Sequence, residues 1–146
     1  VSLNEPFPWG SNMYLLNHTI LIGEANRLRP SERYANAVQR QLNYIFGNNP
    51  LSICYVTGFG NQSPQHPHHR PSAAAGKPMP GMLVGGPDSY LHDPRAKELL
   101  MGKPAMQCYL DDVESYSTNE VAIYWNSALV YAIALARPDQ QLSPAT

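Results

Sequence analysis

The chain has 146 residues, enough for one domain or for part of a larger one. Ten basic and eleven acidic residues give a net charge of −1, and no basic stripe exists to neutralise a phosphate backbone, which argues against a nucleic-acid partner. Only 14% of the residues are charged, while Gly and Pro number 10 and 14, so the composition is that of a loop-rich globular chain that disfavours polyanion and polycation partners and is compatible with a neutral ligand such as a sugar.

The chain opens on "VSLNEPFPWG", which has neither the basic region nor the apolar core of a signal peptide. It starts with Val rather than Met, so a processed or truncated piece is expected. The first helix is predicted over residues 12–28, with Leu15, Leu16, Thr19, Ile22 and Ala25 on one face and Ser11 or Asn12 as its cap. The second is predicted over 31–46. Ser31 caps it, Tyr34, Val38, Leu42, Ile45 and Phe46 form its apolar stripe, and Gly47 with Pro50 stops it. Only Arg29 and Pro30 separate the two, which implies an antiparallel helical hairpin.

A third helix is predicted over residues 119–136. From Val121 to Leu135 it is apolar almost all round, as in a fully buried helix or a membrane span. Glu120 and Asn126 inside the run and Pro138 after it favour burial. Residues 47–118 show little periodicity. So long an irregular stretch is expected to be functional. Three helices are also too few to cover the apolar surface of the third, so the pattern implies part of a larger helical architecture. Cys54 and Cys108 are the only cysteines and read as two small buried hydrophobes rather than a disulfide.

The stretch "YLDDVESYSTNEVAIYWNS", residues 109–127, crowds Asp111, Asp112, Glu114 and Glu120 together. Crowded carboxylates repel, and one that keeps its proton can serve as a general acid. Glycoside hydrolysis needs one acid for the leaving oxygen and one base for the water. Tyr109, Tyr116, Tyr124 and Trp125 are candidates for stacking on sugar rings. A plainer reading stands beside this. "Ser117-Thr118-Asn119-Glu120" has the spacing of a capping box, with Ser117 at N-cap and Glu120 at N3. Asp111 and Asp112 equally suit a solvated turn or a calcium site.

The run "QHPHHRP", residues 65–71, holds His66, His68 and His69. Zinc needs three or four converging ligands, and Pro67 compresses these three with no spaced partner, so the spacing weighs against a metal. Pro67 and Pro71 restrict the backbone and preorganise the loop to present His68, His69 and Arg70. "GMLVGGPDSY", residues 81–90, lacks the order of a phosphate loop and reads as structural. His18 and His92 carry no readable role.

Together these stretches resemble the C-terminal third of the catalytic domain of glycoside hydrolase family 9, formerly cellulase family E. The resemblance runs from "WGSN" at 9–12 to "ALA" at 134–136. One motif is "YVTGFGNQSPQHPHHRPS", residues 55–72. The other places Tyr109, Asp111, Tyr116, Glu120, Ala122, Asn126 and Ser127 at the family's spacings, with "LVGGPD" between the two and "IFGNNP" before them. The "WGSN" tetrapeptide is similar to the branch that includes exo-acting members.

The resemblance implies an all-α fold, an (α/α)6 barrel of which this chain supplies three helices and the long active-site loop region 47–118. It implies inverting hydrolysis of β-1,4-glucosidic bonds. Carried over by position, Glu120 is the general acid and Asp111 an accessory acidic residue. His68 and Arg70 bind the sugar next to the cleavage point, His69 supports the loop, and Tyr116 lines the cleft. No cofactor is required, and calcium is an expectation only for the full-length enzyme. The family's catalytic base lies in an Asp-Ala-Gly-Asp motif that this chain lacks. The implied partners are therefore a β-1,4-glucan and the N-terminal remainder of the catalytic domain, with no nucleic acid or membrane, in a secreted or periplasmic setting. An exo-acting cellodextrinase or glucosaminidase, a non-catalytic carbohydrate-binding fragment, and a structural helical domain with a capping glutamate are the alternatives.

Overall fold

The computed structural model describes residues 6–137. Three long helices, α1 (Ser11–Leu28), α2 (Glu32–Ile45) and α6 (Ile123–Leu135), form the frame. Three short ones lie between them: α3 (Arg70–Ala75), α4 (Pro94–Leu100) and α5 (Tyr116–Asn119), with a 3-10 turn at Ala105–Gln107. Helix α1 packs on both α2 and α6.

The apolar spacing works as expected in the hairpin. Leu15 and Leu16 of α1 and Val38, Leu42 and Ile45 of α2 are buried, each by about 1.5–3 kcal/mol of apolar transfer. They share one core with Tyr55, Val56, Leu83 and Val84 from the loops and with Trp125 and Leu129 of α6. Tyr34 and Phe46, predicted on the same stripe, stand at the surface. Ser31 occupies the N-cap position of α2, but its side chain makes no capping bond.

The start of α1 differs from expectation. Gly10 is the N-cap residue, at φ 77°, and no side chain caps the helix. Asn12 is drawn inward instead. Its Nδ2 donates to the Val84 carbonyl at 2.9 Å and its backbone N–H to the Gly85 carbonyl at 3.0 Å. The side chain of Asn12 lies against Gly86, where a Cβ would stand 2.5 Å from it. That contact, with φ +86°, explains the glycine at 86.

The third helix begins later than predicted. Residues 119–122 do not belong to α6. Glu120 is extended, at φ −67° and ψ 152°, and lies beside His68 in a parallel bridge, while Val121 pairs with Val84 in an antiparallel one. The capping box is therefore absent. Ser117 gives its hydroxyl and its backbone N–H to the buried carboxylate of Asp93, at 2.6 and 2.9 Å. An acceptor 24 residues away has taken the group that would have capped the helix.

Nor is α6 buried all round within this chain. Trp125, Ala128, Leu129 and Ala132 face the core, but Ile123 is 91% and Val130 68% exposed. The surplus of apolar surface inferred from the sequence is thus visible on the outer side of the helix. Pro138, the expected stop, lies outside the described residues. No helix among the described residues is long and apolar enough to cross a membrane.

Candidate active site

The two motifs meet. Residues 65–69 run alongside 119–120, joined by the His68 N–H donating to the Asn119 carbonyl at 2.9 Å. Asn119 is fully buried and ties its own segment to the histidine loop and to residues 109–111. Its Oδ1 accepts from the buried Tyr109 hydroxyl at 2.7 Å. Its Nδ2 donates to the His66 carbonyl at 2.7 Å and to Asp111 Oδ1 at 3.1 Å. Burial and the nearby Asp111 charge hold the Tyr109 hydroxyl well above the ordinary tyrosine range, so it stays protonated and donates.

Asp111 completes the clamp. Its two oxygens accept the backbone N–H groups of Gln65 and His66 at 2.7 and 2.9 Å. Bonds of this kind to a charged acceptor are worth about 1.5–3 kcal/mol each. They fix the entrance of the histidine loop. Asp112 turns the other way, to Arg95 Nε at 2.8 Å and the Glu114 backbone N–H at 2.9 Å. The Glu114 N–H, followed by Arg95, holds its carboxyl below the usual carboxylate range. Crowding in sequence is thus not crowding in space without relief: Asp111, Asp112 and Glu120 each have donors of their own.

In the loop, His68 Nδ1 lies 2.6 Å from the Val113 carbonyl. A carbonyl only accepts, so Nδ1 carries the proton and Nε2 is the ring atom left for a ligand. The ring of His68 is exposed and meets Tyr116 edge-on, with centroids 6.0 Å apart. His69 Nδ1 bonds Ser72 Oγ at 2.9 Å, across the first turn of α3. Arg70 is the first residue of α3 rather than a loop residue, and Pro71 follows at a position that tolerates proline. Its side chain is exposed and makes no ion pair among the described residues.

Glu120 is half-buried, at the rim of an open hollow of about 370 Å³ lined by Trp9, Met13, Tyr14, Glu120, Tyr124 and Trp125. Its Oε2 accepts from the indole N–H of Trp9 at 3.2 Å. Trp9 in turn packs against Tyr116, 5.4 Å away, and His92, 6.1 Å away. Of the four rings considered for stacking, Tyr109 and Trp125 are buried in the core, at 6% and 3% exposure, and only Tyr116 and Tyr124 reach the surface.

The structure therefore brings Glu120, His68 and Tyr116 together, with Asp111 holding the backbone of Gln65 and His66 beside them and His69 bonded to Ser72. Arg70 follows directly at the start of α3. Among the described residues no three His, Cys, Asp or Glu side chains gather as ligands for a metal ion. Sequence reasoning missed Trp9, Asn119 and the pair formed by His92 with buried Asp88, whose Oδ2 takes the ring Nδ1 at 2.8 Å. "WGSN" was the available signal for Trp9. Nothing local links that indole to a glutamate 111 positions later.

The profile of glycosyl hydrolase family 9 matches residues 3–133. The chain belongs to that family. A cellodextrinase from Butyrivibrio fibrisolvens is 45% identical over 131 residues, covering 88% of this chain and 24% of the cellodextrinase. An endoglucanase D from Acetivibrio thermocellus is 37% identical over 135 residues, covering 91% of this chain and 19% of its own length. The crystal structure of a single-mutant thermostable endoglucanase from Alicyclobacillus acidocaldarius superposes with a TM-score of 0.85 at 50% identity, over 90% of this chain and 26% of that one. This family-9 chain thus spans about a quarter of the length of the relatives it matches. It is all-α and matches part of the family's (α/α)6 barrel.

Proposed function

We propose that the chain is the acid-bearing part of an inverting hydrolase of β-1,4-glucans. The observation that carries this reading is the pairing of the Glu120 backbone with the histidine loop. It sets a carboxyl group, an outward imidazole and exposed aromatic rings along one wall, which is the equipment for holding a sugar and protonating its glycosidic oxygen. The relatives are named as cellodextrinase, cellulose 1,4-beta-cellobiosidase and endoglucanase, which agrees in bond type and differs in where the chain is cut. The proposal is accordingly one of reaction class.

In this reading Glu120 gives its proton to the leaving oxygen as the C–O bond breaks. His68, through Nε2, and Arg70 hold the sugar, and Tyr116 lines the cleft. Asp111 acts through the loop it clamps. The water is activated on the opposite face by a carboxylate about 6.5–9.5 Å from the acid. That base comes from the remainder of the catalytic domain, which also covers the outer side of α6. The chemistry needs only two carboxyl groups and water; calcium, if bound by the full-length enzyme, serves its structure. Turnover of insoluble or polymeric glucan fits a secreted or periplasmic protein.

The test is complementation. The chain alone, assayed on soluble β-glucan, gives no turnover above background. Adding the N-terminal remainder restores it. Efficient turnover by the chain alone overturns the proposal.

A further inference from the structure

The indole of Trp9 is built into place. Gly10, which follows it, sits at φ +77° with Trp125 so near that a Cβ would stand 3.1 Å from its ring. The Trp9 ring itself meets Tyr116 and His92. His92 is itself fixed, because its ring Nδ1 and its backbone N–H both bond the fully buried carboxylate of Asp88, at 2.8 and 2.9 Å. The one polar atom of this held ring points at Glu120 Oε2.

An indole N–H can donate and cannot accept. Oε2 is therefore the accepting oxygen of Glu120 in either protonation state. We propose that Trp9 is a positioning residue for the acid: it reserves Oε2 and leaves Oε1 to carry the proton that goes to the glycosidic oxygen. As that proton leaves Oε1, the C–O bond breaks, its electron pair stays on the departing oxygen, and Glu120 becomes a carboxylate. The Trp9 N–H is already in place for the charge that develops. This inference rests on the reading of Glu120 as the acid.

The titratable groups facing the pair are Tyr116 and His92 against the Trp9 ring, His68 beside Glu120, and Tyr14 and Tyr124 in the hollow, with Asp88 behind His92. None of them replaces the indole donor at Oε2 among the described residues.

The experiment uses Trp9→Phe in the complete catalytic domain, and in parallel the isosteric benzothienylalanine at position 9, which keeps the two-ring shape and removes the N–H. Rates are measured against pH on unactivated β-glucan and on an aryl cellobioside with a dinitrophenolate leaving group. Loss of one hydrogen bond to a developing charge moves the alkaline limb up by about half to one pH unit and lowers kcat on the glucan about three- to tenfold. KM stays within about twofold, and the aryl substrate, whose leaving group needs no proton, keeps its rate. An alkaline limb unmoved in both variants, or equal losses on both substrates, overturns the proposal. Glu120→Gln run alongside separates the two failures. If it collapses glucan turnover while the Trp9 variants leave the limb in place, only the role of Trp9 falls.

Discussion

Replacing Asn119 by Leu keeps its branched outline and heavy-atom count and removes both ends of its amide. Tyr109, 6% exposed, then loses the acceptor 2.7 Å from its hydroxyl. A buried hydroxyl left without a partner costs about 1–3 kcal/mol. The His66 carbonyl and Asp111 lie nearer the surface and recover part of their loss from solvent, which adds about 1 kcal/mol. The expected destabilisation is about 2–4 kcal/mol, a large share of the 5–15 kcal/mol typical of a folded domain. Urea unfolding of the complete catalytic domain reads it. The second variant decides the cause. Tyr109→Phe removes the stranded hydroxyl, so the double variant is more stable than the sum of the single losses by about 1–2 kcal/mol. Additivity of the two, or an Asn119→Leu protein within about 0.5 kcal/mol of the parent, refutes the clamp.

Two further outcomes follow from the geometry. Asp112 has a folded-state carboxyl held below its usual range by the Glu114 N–H and Arg95, so it adds stability above about pH 4, lost as pH falls toward its folded value. The stability gap between the parent and Asp112→Asn is therefore widest near neutrality and closes below about pH 3 in acid-unfolding curves; a gap that widens on acidification contradicts the assignment. Cys54 and Cys108 are free and each 2% exposed, and burial pushes both thiols up. Neither reacts with a thiol reagent in the native protein and both react in denaturant; rapid native labelling of either shows that the packing described is wrong.

The legible parts of this chain were those governed by short-range pattern. The stripe from Leu15 to Leu42 is a 3.6-residue signal, and it yields the hairpin. The spacing from Tyr109 through Asn126 is a motif signal, and the structure sets its Glu120 beside the histidine loop. The capping box failed because its decisive competitor is Asp93, remote in sequence and brought to Ser117 by the fold. Helices α3 and α4, of six and seven residues, are too short to show periodicity. Asp111 looked like a member of an acidic cluster. Its partners are backbone N–H groups, which no side-chain pattern announces.

The reading of Glu120 as the general acid is tested most directly by Glu120→Gln in the complete catalytic domain. The substitution keeps an acceptor for the Trp9 indole and removes the transferable proton. Turnover of unactivated β-glucan should fall about 10²- to 10⁴-fold while sugar binding, measured by calorimetry with cello-oligosaccharides, is retained. A variant that hydrolyses the glucan at near the parent rate contradicts the account.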